Sequence, residues 1–179
     1  MRLAIVRQRY TPFGGAERFV DLALDAWRVA AVETTPIARR WSGEWKGPVQ
    51  RVAPFYLGRL WRDAGFSRAV QHKLAGEHFD LVQSHERIPG CAIYRAGDGV
   101  HAAWLEQRGR LDGLRSRIAA RLSPYHRYLV RAEATMFRHP SLQAVICNSH
   151  MVAKDIQRRF GVAPARVHVF YNAVDTGRF

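Results

Sequence analysis

An open α/β fold, a mostly parallel sheet with helices on both faces, is what this sequence predicts, and three observations carry it. Short apolar runs alternate repeatedly with amphipathic helical segments along the 179 residues, the pattern of parallel strands joined by helical crossovers. The first run, Leu3-Ala4-Ile5-Val6, leads through a polar segment to Gly14-Gly15 and then to a helix, the order with which such folds present a ligand at the first crossover. Two later runs exit into the polar clusters Ser84-His85-Glu86-Arg87 and Gly97-Asp98-Gly99-Val100-His101, on the carboxyl side where ligands of open sheets bind. The length suits one domain with a substantial core.

The paired glycines can take positive φ and bring backbone N–H groups close to an anion. After them, Phe19, Val20, Ala23, Leu24 and Trp27 recur at helical spacing and predict a helix over residues 16–27, with Glu17 in its first turn. Residues 29–37 are rich in β-branched types and predict a second strand that Pro36 should close. Residues 39–48, polar and glycine-punctuated, predict a loop. A short strand over 49–55 then precedes a helix over 57–75, which Gly65 can interrupt. Residues 79–83 and 92–95 predict the next two strands. From Leu111 onward the apolar positions Leu111, Leu114, Ile118, Leu122, Tyr125, Leu129, Ala132 and Met136 have the spacing of buried helix faces, and Ser123-Pro124 predicts a new helix start. Residues 144–147 predict a buried strand, Ser149 a cap for the helix carrying Val152, Ile156 and Phe160, and Gly161 its end. Residues 167–170 predict the last strand.

The formal net charge is +13, built from 25 arginines and only 3 lysines against 15 carboxylates. Such an excess suits anionic partners: acidic lipid headgroups, phosphorylated glycans or nucleic acid. Between residues 101 and 140 eight arginines meet three carboxylates, and Arg108, Arg110, Arg115, Arg117 and Arg121 alternate with apolar positions. That composition serves an amphipathic surface resting on an anionic membrane, and equally a solvated helix face. Zinc-finger spacing, a helix-turn-helix and the aromatic motif of RNA-binding sheets are all missing, so nucleic acid is not expected. No stretch approaches 18 uncharged apolar residues, so no membrane-spanning helix is predicted. Cys91 and Cys147, distant in sequence and in apolar surroundings, read as reduced core residues of a cytosolic protein.

The glycine pair fits neither G-x-G-x-x-G nor the P-loop pattern, which disfavours a nicotinamide or ATP site. The eight histidines form no HExxH and no cysteine–histidine cluster, so no metal is expected. A G-x-S-x-G elbow is lacking too. His85, Glu86, Asp98 and His101 follow successive strands and could open onto one cleft, binding hydroxyls or handling protons; loop residues of these types serve structure as readily.

The same stretches carry a resemblance. R-L-A-I-V … F-G-G-A-E-R, S-H-E-R-I-P-G … Y-R-A-G-D-G-V-H, A-V-I-C-N-S-H-M-V-A-K-D-I and V-H-V-F-Y-N-A-V-D, spread over nearly the whole chain, resemble the N-terminal domain of a GT-B, family-4 retaining glycosyltransferase, of the type that includes bacterial lipopolysaccharide-core glucosyltransferases. The resemblance implies a Rossmann-like acceptor-binding domain over residues 1–170. Residues 171–179, with Asn172 and Asp175, would begin the hinge into a C-terminal donor-binding domain missing from this chain. The complete enzyme would transfer a sugar, with retention, from a UDP-, ADP- or GDP-linked nucleotide-diphosphate sugar to a lipid-linked or lipopolysaccharide-core glycan, this half being inactive by itself. Gly14, Gly15 and Glu17 would approach the donor diphosphate, His85, Glu86 and Arg87 the acceptor, and Asp98 with His101 the reaction centre. The arginines from Arg108 to Arg121 would face an anionic membrane, placing the protein peripherally on the cytoplasmic face of the inner membrane. A non-catalytic α/β module docking on anionic membrane or glycan surfaces is the alternative.

Overall fold

In the computed structural model the described residues are 1–11, 15–42, 45, 47 and 49–171; for residues 15–19 and 21 the description is of the backbone. Among them, seven strands form one parallel sheet: β1 (Arg2–Tyr10), β2 (Glu33–Trp41), β3 (Gln50–Arg51), β4 (Leu81–Ser84), β5 (Ile93–Ala96), β6 (Ala144–Cys147) and β7 (Val167–Val169), in the order β3-β2-β1-β4-β5-β6-β7. The helices are α1 (Gly15–Val29), α2 (Gly58–Gly76), α3 (His101–Leu111), α4 (Gly113–Leu122), α5 (Pro124–Phe137) and α6 (His150–Phe160). The chain winds from β1 out to β3 and returns to β4 on the other flank of β1. That reversal leaves a crevice at the carboxyl ends of β1 and β4, where open sheets bind ligands.

Alternation along the strands divides the core. Leu3 and Ile5 of β1 pack with Val20 and Leu24 of α1, while Ala4 and Val6 pack with Ile37, Phe66 and Val70 toward α2. Tyr94, Val145 and Cys147 meet Met136 and Phe137 of α5 and Ile156 of α6. Both cysteines are free and buried. Ser149 accepts a hydrogen bond from Val152 N, the cap expected there, and α5 starts at Pro124 as expected, with Ser123 accepting from His126 N. Gly161 ends α6 at φ 68°, a left-handed conformation that a Cβ disfavours.

Several boundaries differ from expectation for identifiable reasons. The second strand runs from Glu33 to Trp41, so Pro36 lies inside it, paired with Ile5. This is tolerated because β3 pairs only with Ile37 and Ala38, which leaves the flank beside Pro36 without a partner strand. Arg39, Arg40 and Trp41, expected in a loop, extend that strand. Arg39 is buried because its guanidinium lies over Tyr56 and Phe66, 4.7 and 5.7 Å from the ring centroids, and donates to Pro54 O and Arg62 O. The third strand shrinks to two residues, and α2 passes through Gly65 without a break.

The largest correction concerns α3 and α4. A helix already begins at His101, and the apolar positions expected to be buried at the end of α3 and along α4 point outward: Leu111, Leu114, Ile118 and Leu122 are 86, 68, 49 and 71% exposed. On α5 the same periodicity does face the core, through Leu129, Ala132 and Met136. Spacing identifies a helix face but not what covers it. The α3–α4 pair packs closely because Gly109 has no side chain; a Cβ there would overlap Arg117 Cγ.

Candidate active site

The crevice is walled by side chains from β1, α2, α5 and the turns after β4 and β5. Ser84 organises the first turn, its Oγ accepting from Glu86 N at 3.0 Å and donating to Glu86 O at 2.8 Å. This turns the Glu86 carboxylate toward β1, where it accepts from Gln8 N at 2.8 Å. Burial pushes the Glu86 carboxyl above its usual range, against the opposing pull of Gln8 N and of Arg7 and Arg87. The Gln8 amide donates to Asp63 Oδ1 at 3.1 Å, Arg62 Nε to the same oxygen at 2.7 Å, and Tyr125 OH to Asp63 Oδ2 at 2.9 Å. One carboxylate thereby ties β1, α2 and α5 together.

Glu133 plays the corresponding part on the opposite wall. It is 1% exposed, and its Oε1 accepts from Arg87 Nε at 2.9 Å and His101 N at 2.6 Å while Oε2 accepts from Ala102 N at 3.3 Å. A buried carboxylate 32 residues away thus caps α3 and neutralises Arg87. Burial opposes the Arg87 charge, yet Tyr94, Glu133 and Asp98 outweigh it and hold the guanidinium above its ordinary pKa.

Glu86, Arg87, Asp98 and Tyr125 line a polar cavity of about 200 Å³. Arg87, Asp98 and Tyr125 also border an adjoining groove of about 330 Å³, completed by Arg59, His101, Trp104 and His126. In that groove His101 Nε2 lies 3.0 Å from His126 Nδ1, one nitrogen donating to the other, and the His101 ring stacks on Trp104 at 5.5 Å and 22°. Burial, then Arg87 and His126, press His101 down to about 4, so it is neutral at physiological pH. Asp98, on the exposed rim shared by both cavities, makes no hydrogen bond to another described residue.

Of the residues singled out from sequence, the fold brings Glu86, Arg87, Asp98 and His101 together. His85 it places elsewhere: the ring is buried, 3.1 Å from Gln83 Nε2, and lines neither cavity. Gly15 opens α1 and Glu17 lies in it; Gly14, Asn172 and Asp175 fall outside the described residues. Arg108 pairs with Asp112 at 2.9 Å and covers Trp104, Arg110 and Arg115 are exposed, and Arg117 and Arg121 border a different groove, between α3, α4 and α5. Sequence reasoning missed Gln8, Asp63, Tyr125 and Glu133. Glu133 did leave a signal: it continues the buried stripe of Leu129 and Phe137 at four-residue steps, where a carboxylate must find partners.

Burial first, then Arg7 and Arg95, depress the His85 pKa to about 3 from 6.5. The unfolded chain therefore binds an extra proton between these values, so His85's contribution is complete above pH 6.5 and is lost as pH falls toward 3. Between pH 7 and pH 5 urea titrations should show about 2 kcal/mol less acid destabilisation for His85→Gln than for the parent. Parallel losses in the two proteins would refute this assignment.

Residues 13–178 match the sequence pattern of Glycosyltransferase Family 4. The chain belongs to that family. Among solved structures, this family-4 chain superposes on WaaG, described as a glycosyltransferase involved in lipopolysaccharide biosynthesis, with a TM-score of 0.83 and 20% identity, covering 98% of the chain and 46% of WaaG. It also matches HepE (Alr3699) of Anabaena, solved with UDP and glucose, at a TM-score of 0.51 and 14% identity, covering 98% and 45%. At these identities the likeness is one of fold: the Rossmann-like sheet is one half of the GT-B architecture, and the chain spans less than half the length of either protein. A comparison with curated proteins finds no match. Among the described residues no helix is long and apolar enough to cross a membrane.

Proposed function

We propose that this family-4 chain is the acceptor-binding half of a retaining glycosyltransferase, which with a second, donor-binding domain moves a sugar from a nucleotide-diphosphate sugar to a lipid-linked or lipopolysaccharide-core glycan. The observation that carries the proposal is the meeting of Glu86, Arg87 and Asp98 in one polar cavity beside the β1/β4 switch point. Asp98 accepts a hydrogen bond from the attacking hydroxyl as that oxygen approaches the anomeric carbon. Glu86 and Arg87 face the acceptor, Arg87 held in place by its ion pair with Glu133. His101, neutral and held by His126 and Trp104, shapes the acceptor groove. Gly14, Gly15 and Glu17 approach the diphosphate, and Asn172 and Asp175 lead into the second domain. The test is transfer from UDP-, ADP- and GDP-sugars to lipid-linked and core-oligosaccharide acceptors by this chain joined to its second domain. Turnover with none of them would favour a non-catalytic module.

A second part of the proposal places the protein on an anionic membrane, at the cytoplasmic face of the inner membrane. The outward stripe Leu111, Leu114, Ile118 and Leu122 is flanked by Arg115 and Arg121, and Phe55, Leu57 and Trp61 at the start of α2 add a second exposed apolar patch. Arg59 over Tyr125, 4.9 Å from the ring centroid, joins the start of α2 to α5, beside the end of α4. Leu114→Ser with Ile118→Ser should lower sedimentation with phosphatidylglycerol vesicles by at least about tenfold. Equal binding of the parent to neutral vesicles would remove the electrostatic half of the argument.

A further inference from the structure

Between α3, α4 and α5 lies a groove of about 420 Å³ that the proposed transfer does not use. Leu105, Ala120 and Val130 give it an apolar floor, and Arg117, Arg121, Arg127 and Arg131 stand around the floor. None of these four guanidinium groups has an ion pair or hydrogen bond to another described residue. The carboxylate beside them, Glu106, is already neutralised by two hydrogen bonds from Arg159, at 2.7 and 2.6 Å. Four uncompensated guanidinium groups over hydrocarbon match a ligand that is anionic at one end and apolar at the other.

The placement of the groove narrows its source. Around α4, Arg117 and Arg121 lie between Ala120, which faces the groove, and the outward stripe of Leu114, Ile118 and Leu122. When that stripe enters a bilayer, the arginine ridge comes to the level of the phosphates and the groove opens there. We propose that the groove holds the phosphate and first carbons of one anionic phospholipid. Its supply from a bilayer rests on the docking reading above, whereas the site itself does not.

Monomeric dihexanoylphosphatidylglycerol, titrated calorimetrically into the chain, tests the site, with dihexanoylphosphatidylcholine and inorganic phosphate as comparisons. The expected result is saturable binding of one phosphatidylglycerol, weakened at least about tenfold in Arg127→Gln/Arg131→Gln. Both side chains are exposed on α5, away from the apolar stripe. Ala120→Trp, which fills the floor without changing charge, should weaken it as much, with thermal midpoints confirming that both variants fold. Equal affinity for phosphatidylcholine would overturn the role of the arginines, and equal affinity for phosphate that of the floor; either sinks the proposal. No binding of the short lipid, or binding unchanged in both variants, overturns it too, and vesicle sedimentation by the same protein then shows whether docking survives. Short-lipid binding without vesicle binding supports the site and removes the docking reading.

Discussion

Glu133→Ala will destabilise the fold by about 3–5 kcal/mol, the loss expected when one member of a buried ion pair is removed. Three donors converge on this carboxylate, and the 1% exposure of Glu133 leaves water little chance to replace it. Removal strands the Arg87 guanidinium and opens the first turn of α3. Glu133→Gln keeps an acceptor for the helix N–H groups but not the charge, and should cost less, about 1.5–3 kcal/mol. Urea unfolding followed by tryptophan fluorescence measures both. A loss below about 1 kcal/mol for the alanine variant would mean that water or another carboxylate takes over the role.

Asp98→Asn should have the opposite signature. Exposed on the rim and without a hydrogen bond to another described residue, Asp98 contributes little to folding. In the chain joined to its second domain, the substitution is expected to lower kcat roughly 10²–10⁴-fold, the range for loss of a positioned acid–base group, with the thermal midpoint unchanged. Steady-state transfer assays beside a melting curve separate the two. Unchanged kcat would exclude Asp98 from the reaction centre, whereas a matching fall in midpoint would recast it as a structural residue.

The order of strands and helices was legible because each crossover leaves a change of hydrophobic period in the sequence. The cluster of Glu86, Arg87, Asp98 and His101 was legible for a related reason, since polar residues just past parallel strands share one edge of the sheet. His85 shows the limit: one residue further along than Ser84, its ring points into protein beside Gln83 instead of into the crevice. The outward face of α4 and the buried Arg39 were illegible because burial depends on which surfaces meet. A leucine stripe at helical spacing looks the same whether it meets a core or not. An arginine becomes a core residue only when Tyr56, Phe66 and two carbonyls happen to be placed around it. Asp63 drew no attention from sequence for the same reason, its partners Gln8 and Tyr125 lying 55 and 62 residues away.

The two-residue β3 and the proline within β2 bear on how molecules of this protein meet one another. A long exposed strand at a sheet's margin is a template on which another chain can add, the first step toward aggregation. Here β3 offers only Gln50 and Arg51, and beyond it β2 presents Pro36, which has no N–H to give. Among the described residues, a strand from a neighbouring molecule would find few backbone partners along this margin, and Trp45 and Gly47 lie beside Val32 and Thr34 at the start of β2.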